Sequence, residues 1–111
     1  MNIRLEENKG GILVQVREER LDANNAETLK HELSRLFEEG KKGVVVDLKD
    51  VRFIDSSGLG ALVSGFKNAS SRQAVLKLSG LQSQVKSMFE LTRLHRVFDI
   101  YANADEALES L

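Results

Sequence analysis

The chain has 111 residues, with 16 Lys and Arg against 17 Asp and Glu and a formal net charge of −1. That length fits one domain, spanning residues 1–111, with one respectable core, and 41% apolar with 30% charged residues is the composition of a soluble globular protein. The charge balance leaves no concentrated basic face for nucleic acid and no attraction to an anionic membrane, and the absence of cysteine excludes disulfides, a thiol nucleophile and a cysteine zinc site.

The first ten residues, MNIRLEENKG, are charged and lack the apolar run of a secretory signal. No stretch approaches the length that spans a bilayer, so a cytoplasmic protein is expected. Ile3 and Leu5 alternate with polar residues, and Ile12, Val14 or Leu13, and Val16 do the same, which predicts two strands. Asn8, Gly10 and Gly11 between them predict a hairpin turn and an antiparallel pair. A helix follows, with Ala26, Leu29, Leu33, Leu36 and Phe37 at helical spacing. Asp22, Asn24 and Asn25 offer N-cap side chains, and Gly40 offers a position just past the helix end.

The run GVVVDLKDV reads as a strand buried on both faces, because three consecutive valines do not alternate. Leu59, Leu62, Val63 and Phe66 then form a second helical stripe. AVLKLSGL is a further strand. QSQVKSMFELTRL is a helix carrying Val85, Met88, Phe89 and a fourth apolar candidate, Leu91. VFDIY is a short strand, and NADEALESL closes the chain as a helix capped by Asn103, with Ala107, Leu108 and Leu111 facing inward. The order β-β-α-β-α-β-α-β-α predicts an α/β fold with a mostly parallel sheet of four to five strands and about four helices.

Functional side chains in such sheets sit at strand C-terminal ends, and VRFIDSSGLGALVSGF places Asp55, Ser56, Ser57, Gly58 and Gly60 at one. A serine nucleophile needs a base and a G-x-S-x-G elbow. The first glycine of that elbow is missing, and His31 and His95 sit at spacings that suggest surface histidines. Gly58 and Gly60 begin a dinucleotide fingerprint, but Val63 occupies the place of its third glycine. A phospho-acceptor Asp55 would need an acid pair at the first strand ends, and none is present. What remains is a displayed hydroxyl. One of the two serines can cap the helix, with Asp55 doing similar work. The other is free, and a phosphate there would suit the helix N-terminus while adding roughly −2 charge beside Asp55.

These residues resemble the STAS domain family in its bacterial anti-sigma factor antagonist form. FIDSSGLGALV is similar to the family's D-S-[ST]-G-L-G signature, LDANNAETLKHELSRL to its L-D-x-x-x-A-x-x-L segment, and LKLSGLQSQVKSMFELTRLHRVFDIYANADEAL to its C-terminal third. The resemblance covers nearly the whole chain. It departs where the family carries glycine: three residues before Asp22 stands Glu19, before the fourth strand stand Ser70–Ala74, and at the end of the third helix stands Arg93.

The resemblance implies a non-enzymatic partner switch. The unmodified antagonist binds an anti-sigma factor that is also a serine kinase of the histidine-kinase-like ATPase type, and so frees a sigma factor or other client. The kinase phosphorylates the antagonist on the residue that maps to Ser56 and releases it, and a PP2C-type phosphatase restores it. Asp22, Asp55, Ser57, Gly58, Leu59 and Gly60 are implied as the partner surface. Leu59 has two readings, an apolar contact or a core residue of the helix stripe. No cofactor is implied for the chain itself, since ATP and magnesium are held by the kinase. A monomer is expected, with no direct nucleic-acid or membrane partner. The alternative is a STAS subunit of a structural, lipid-transport or stress-signalling complex without phosphorylation, and the Asp-Ser-Ser-Gly run favours the switch.

Overall fold

The protein is described from a computed structural model that places residues 1–8 and 10–111. Lys9, inside the expected hairpin turn, lies outside the described residues. Strand β1 (Ile3–Asn8) pairs antiparallel with β2 (Gly11–Val16), as the turn residues predict, but the alternation of β1 does not follow burial, since Leu5 is exposed. After β2 come a two-residue strand β3 (Arg20–Leu21), helix α1 (Ala26–Glu38), strand β4 (Gly43–Asp47), a second two-residue strand β5 (Phe53–Ile54) and helix α2 (Ser56–Ser71). The chain continues through β6 (Val75–Ser79), α3 (Ser83–Leu91), a 3₁₀ turn at Leu94–Arg96, β7 (Ile100–Tyr101) and α4 (Ala104–Glu109).

The main sheet has five strands in the order β1-β2-β4-β6-β7, and every pairing but the first is parallel. Its central strand β4 is buried along its whole length, because both faces are covered. Val44 and Val46 face a large core with Leu29, Leu33, Leu62, Val85 and Phe89 from α1, α2 and α3. Val45 faces a small second core with Leu13, Ala107 and Leu108, beneath α4. All five apolar positions expected for α1 are buried. Leu91, by contrast, is 79% exposed. It lies two residues past Phe89, about 200° around the helix, and so faces solvent. Leu94 and Phe98, beyond the helix, reach the core instead.

Helix ends explain two of the three missing glycines. In α1, Gly40 takes φ +89°, its N–H donates to the Phe37 carbonyl and the Lys41 N–H donates to the Leu36 carbonyl, a Schellman closure. Helix α2 closes in the same way through Gln73 and Ala74, with Gln73 at φ 54°. Arg93 follows α3 at φ 62°. The left-handed region costs an L-residue roughly 1–2 kcal/mol, and glycine's extra unfolded-state entropy offsets about half of that. Arg93→Gly is therefore expected to stabilise the fold by about 0.5–1 kcal/mol in denaturant melts.

Candidate functional site

The corner is built on the small β3–β5 ladder, which the sequence pattern does not reveal. The strands run parallel, with Arg20 opposite Phe53 and Leu21 opposite Ile54. The Phe53 and Asp55 N–H groups donate to the carbonyls of Glu19 and Leu21, at 3.2 and 3.3 Å. Asp22 and Asp55, one residue further on, therefore emerge at the same end of the ladder. Backbone groups alternate in direction along a strand, so the N–H and carbonyl of Ile54 point away from β3. Among the described residues no strand lies there. The side-chain amide of Gln84 takes its place, accepting from Ile54 N–H at 3.0 Å and donating to its carbonyl at 3.4 Å.

The chain turns from β5 into α2 at Asp55, whose carboxylate accepts from the Gly58 N–H at 3.0 Å and whose carbonyl accepts from Leu59 N–H. Asp55 is thus the N-cap, and neither serine caps the helix. Ser56 and Ser57 are the first two helical residues and both are exposed. Their N–H groups have no intrahelical partner. Gly58 is buried, and a Cβ built on it would stand 2.5 Å from the Leu21 carbonyl oxygen and 2.7 Å from Ile54 Cγ1. The ladder can approach the helix this closely only because residue 58 has no side chain. Leu59 is 5% exposed and belongs to the core, the second of its two readings.

Asp22 is half-buried and holds its own loop: one carboxylate oxygen accepts from the Asn24 N–H at 3.0 Å and the other from Arg20 Nε at 3.3 Å. Asn25 stands at the N-cap position of α1, but its side chain serves the loop instead. It accepts from the Asp22 N–H and donates to the Arg20 carbonyl. The Arg20 guanidinium also lies 4.1 Å over the Phe53 ring, tying β3 to β5. Glu19 does not adopt the left-handed region, so the fold makes no demand for glycine there. Its carbonyl receives the Arg52 and Phe53 N–H groups, and its exposed carboxylate lies 3.7 Å from Arg52.

A shallow groove runs from Ser57 between the starts of α1 and α2, lined by Ala23, Ala26, Lys30, Gly60 and Ala61. Gly60 is exposed, and a Cβ there would meet nothing within 4 Å. Glycine inside a helix costs roughly 0.5–1 kcal/mol relative to alanine. Gly60→Ala is therefore expected to raise the melting temperature by about 2–6 °C. If the groove receives a partner, the same substitution weakens binding, and the two measurements together separate a binding glycine from an incidental one.

Both histidines are exposed; His31 lies 3.5 Å from Glu27 and His95 3.4 Å from the Phe89 carbonyl. Among the described residues neither bonds to a serine of the corner, and no group of His, Asp and Glu could hold a metal ion. No described helix is long and apolar enough to cross a membrane. The site residue that sequence reading missed is Gln84. Its role rests on a contact thirty residues away in the chain, and a glutamine in the first turn of a helix carries no signal of that.

The STAS domain family profile matches residues 2–107. The anti-sigma-B factor antagonist of Bacillus subtilis (strain 168) is 31% identical over 109 residues, covering 98% of each chain. An anti-sigma factor antagonist from Mycobacterium paratuberculosis superposes with a TM-score of 0.88 at 22% identity, over 98% of this chain and 92% of that one. SpoIIAA, another anti-sigma factor antagonist, matches in its unphosphorylated form with a TM-score of 0.83 at 18% identity, over 98% of this chain and 95% of that one. Its phosphorylated form matches at 0.76 and 17%, over 98% of each chain. These structural likenesses show the fold, a five-stranded mixed sheet with four helices, and the relatives' names are those of regulators, not enzymes. With its sequence matched almost end to end, the chain belongs to the STAS domain family, among the anti-sigma factor antagonists.

Proposed function

We propose that the chain is a phosphorylation-controlled anti-sigma factor antagonist, with Ser56 as the phospho-acceptor. The observation that carries this reading is the division of labour at the corner. Asp55 caps α2, so the Ser56 hydroxyl has no structural duty and stands exposed at the helix lip. In its unmodified form the chain binds an anti-sigma factor that is also a histidine-kinase-like serine kinase, through Asp22, Asp55 and the surface around Ser57 and Gly60. That partner holds ATP and magnesium. The Ser56 oxygen attacks the γ-phosphorus, its proton passes to a base of the kinase, and the bond to the β-γ bridging oxygen breaks to release ADP. A PP2C-type phosphatase returns the hydroxyl by transferring the phosphoryl group to water.

Phosphate at this position leaves the fold intact. The unpartnered N–H groups of the first turn and the positive end of the α2 dipole accept negative charge. The consequence falls on the interface, where about −2 of charge joins Asp22 and Asp55. Arg20 is already engaged with Asp22, so it is not a free counterion. Burying a dianion against a partner costs several kcal/mol of desolvation, enough to dissolve a micromolar complex. Incubation with ATP and the partner kinase, followed by mass-spectrometric mapping, tests the assignment. Phosphate on Ser56 is expected, and phosphate on Ser57 or none at all contradicts it.

A further inference from the structure

We propose that Gln84 is a positioning residue for phosphorylation of Ser56, serving as a one-residue substitute for the strand that β5 lacks on its outer side. The proposal rests on the reading of Ser56 as phospho-acceptor. Ile54 stands two residues before Ser56. Its neighbours Phe53 and Asp55 bond on the β3 side, and its own N–H and carbonyl are held on the other side by the two Gln84 bonds at 3.0 and 3.4 Å. Gln84 itself is fixed, because Val85 and Phe89 of the same helix are fully buried. The neighbouring Gln82 adds a second tie, its amide donating to the Lys49 carbonyl at 2.6 Å in the segment leading to β5. Two glutamine amides thus fasten the approach to the corner onto the start of α3.

The clamp reaches the hydroxyl by a short path. The Ile54 side chain packs where a Gly58 Cβ would stand, and Gly58 is the donor to the Asp55 cap. If Ile54 shifts, the cap and the first turn of α2 shift with it. Phosphoryl transfer requires the attacking oxygen in line with the leaving group, and a misplacement of about 1 Å can cost about 100-fold. A residue that only satisfied two backbone groups would affect stability and leave turnover unchanged. A positioning residue lowers kcat for the phosphorylation far more than it raises KM, since Asp22 and the α1 side of the groove stay in place and only the Asp55–Ser56 turn is loosened.

The test compares wild type, Gln84→Leu and Gln84→Glu. Leucine removes both bonds. Glutamate keeps the size and polarity of a half-exposed side chain, loses the donor and sets a carboxylate against the Ile54 carbonyl. Native-state hydrogen exchange of the Ile54 amide and steady-state phosphorylation by the partner kinase with ATP are measured on each. In Gln84→Leu, which loses the acceptor of the Ile54 N–H, we expect Ile54 protection to fall about tenfold or more; in both variants we expect kcat to fall about tenfold or more and KM to stay within about threefold. A folded variant with wild-type kcat overturns the proposal, as does a loss of kcat in Gln84→Leu with Ile54 protection unchanged. So does failure of both variants to fold, which makes Gln84 a stability residue. A wild-type chain that takes no phosphate from the kinase contradicts the functional reading instead. The clamp is then decided by exchange alone, and unchanged Ile54 protection in Gln84→Leu overturns it.

Discussion

Ser56→Glu should fold like the wild type and bind the kinase partner about 100-fold or more weakly, whereas Ser56→Ala should fold equally well and bind without release by ATP. Both expectations follow from the geometry of the corner. The hydroxyl is exposed and Asp55 supplies the cap, so removing it takes no structural bond away. Glutamate in the first turn of α2 suits the helix dipole. Its charge nevertheless joins Asp22 and Asp55 on the contact face, where docking must strip its water, and roughly 2.7 kcal/mol of such a cost is a hundredfold in affinity. Binding by calorimetry and folding by circular dichroism check the pair. A Ser56→Ala chain that no longer binds would mean that the hydroxyl is a contact rather than a switch.

The second large effect is on stability. Gly58→Ala should destabilise the protein by about 2–3 kcal/mol, lowering the melting temperature by roughly 10–20 °C. The added Cβ would stand 2.5 Å from the backbone oxygen of Leu21 and 2.7 Å from Ile54, and neither has room to retreat. Relief would require β3 and β5 to separate from α2. That movement also spoils the Asp55 cap, since its donor is the Gly58 N–H. Gly60, two residues on, behaves oppositely because its Cβ direction is open. The contrast between the two substitutions tests whether the signature's glycines serve packing at 58 and access at 60.

How much of this was legible in the sequence divides along the range of the interactions involved. Helix α1 and strand β4 were readable, because periodicity and unbroken apolar runs report burial directly. So was the corner's place at a strand end before a helix. The ladder of β3 and β5 was not readable. Each strand has two residues, too few for an alternation, and their pairing joins positions 33 apart, Leu21 and Ile54. The choice of cap was equally hidden, since Asp55, Ser56 and Ser57 are all good caps and only the backbone path selects the first. Leu91 looked like a core residue by composition, yet its angle around α3 turns it outward. The absent glycines at Gln73 and Arg93 suggested divergence. The backbone kept the left-handed turns and accepted side chains in them.

The most direct measurement is the affinity of one preparation for its kinase before and after stoichiometric phosphorylation, by titration calorimetry in the absence of ATP. A hydroxyl that acts as the switch gives a loss of about 100-fold or more on phosphorylation, with the melting temperature of the free chain nearly unchanged. Equal affinities for the two forms would contradict it.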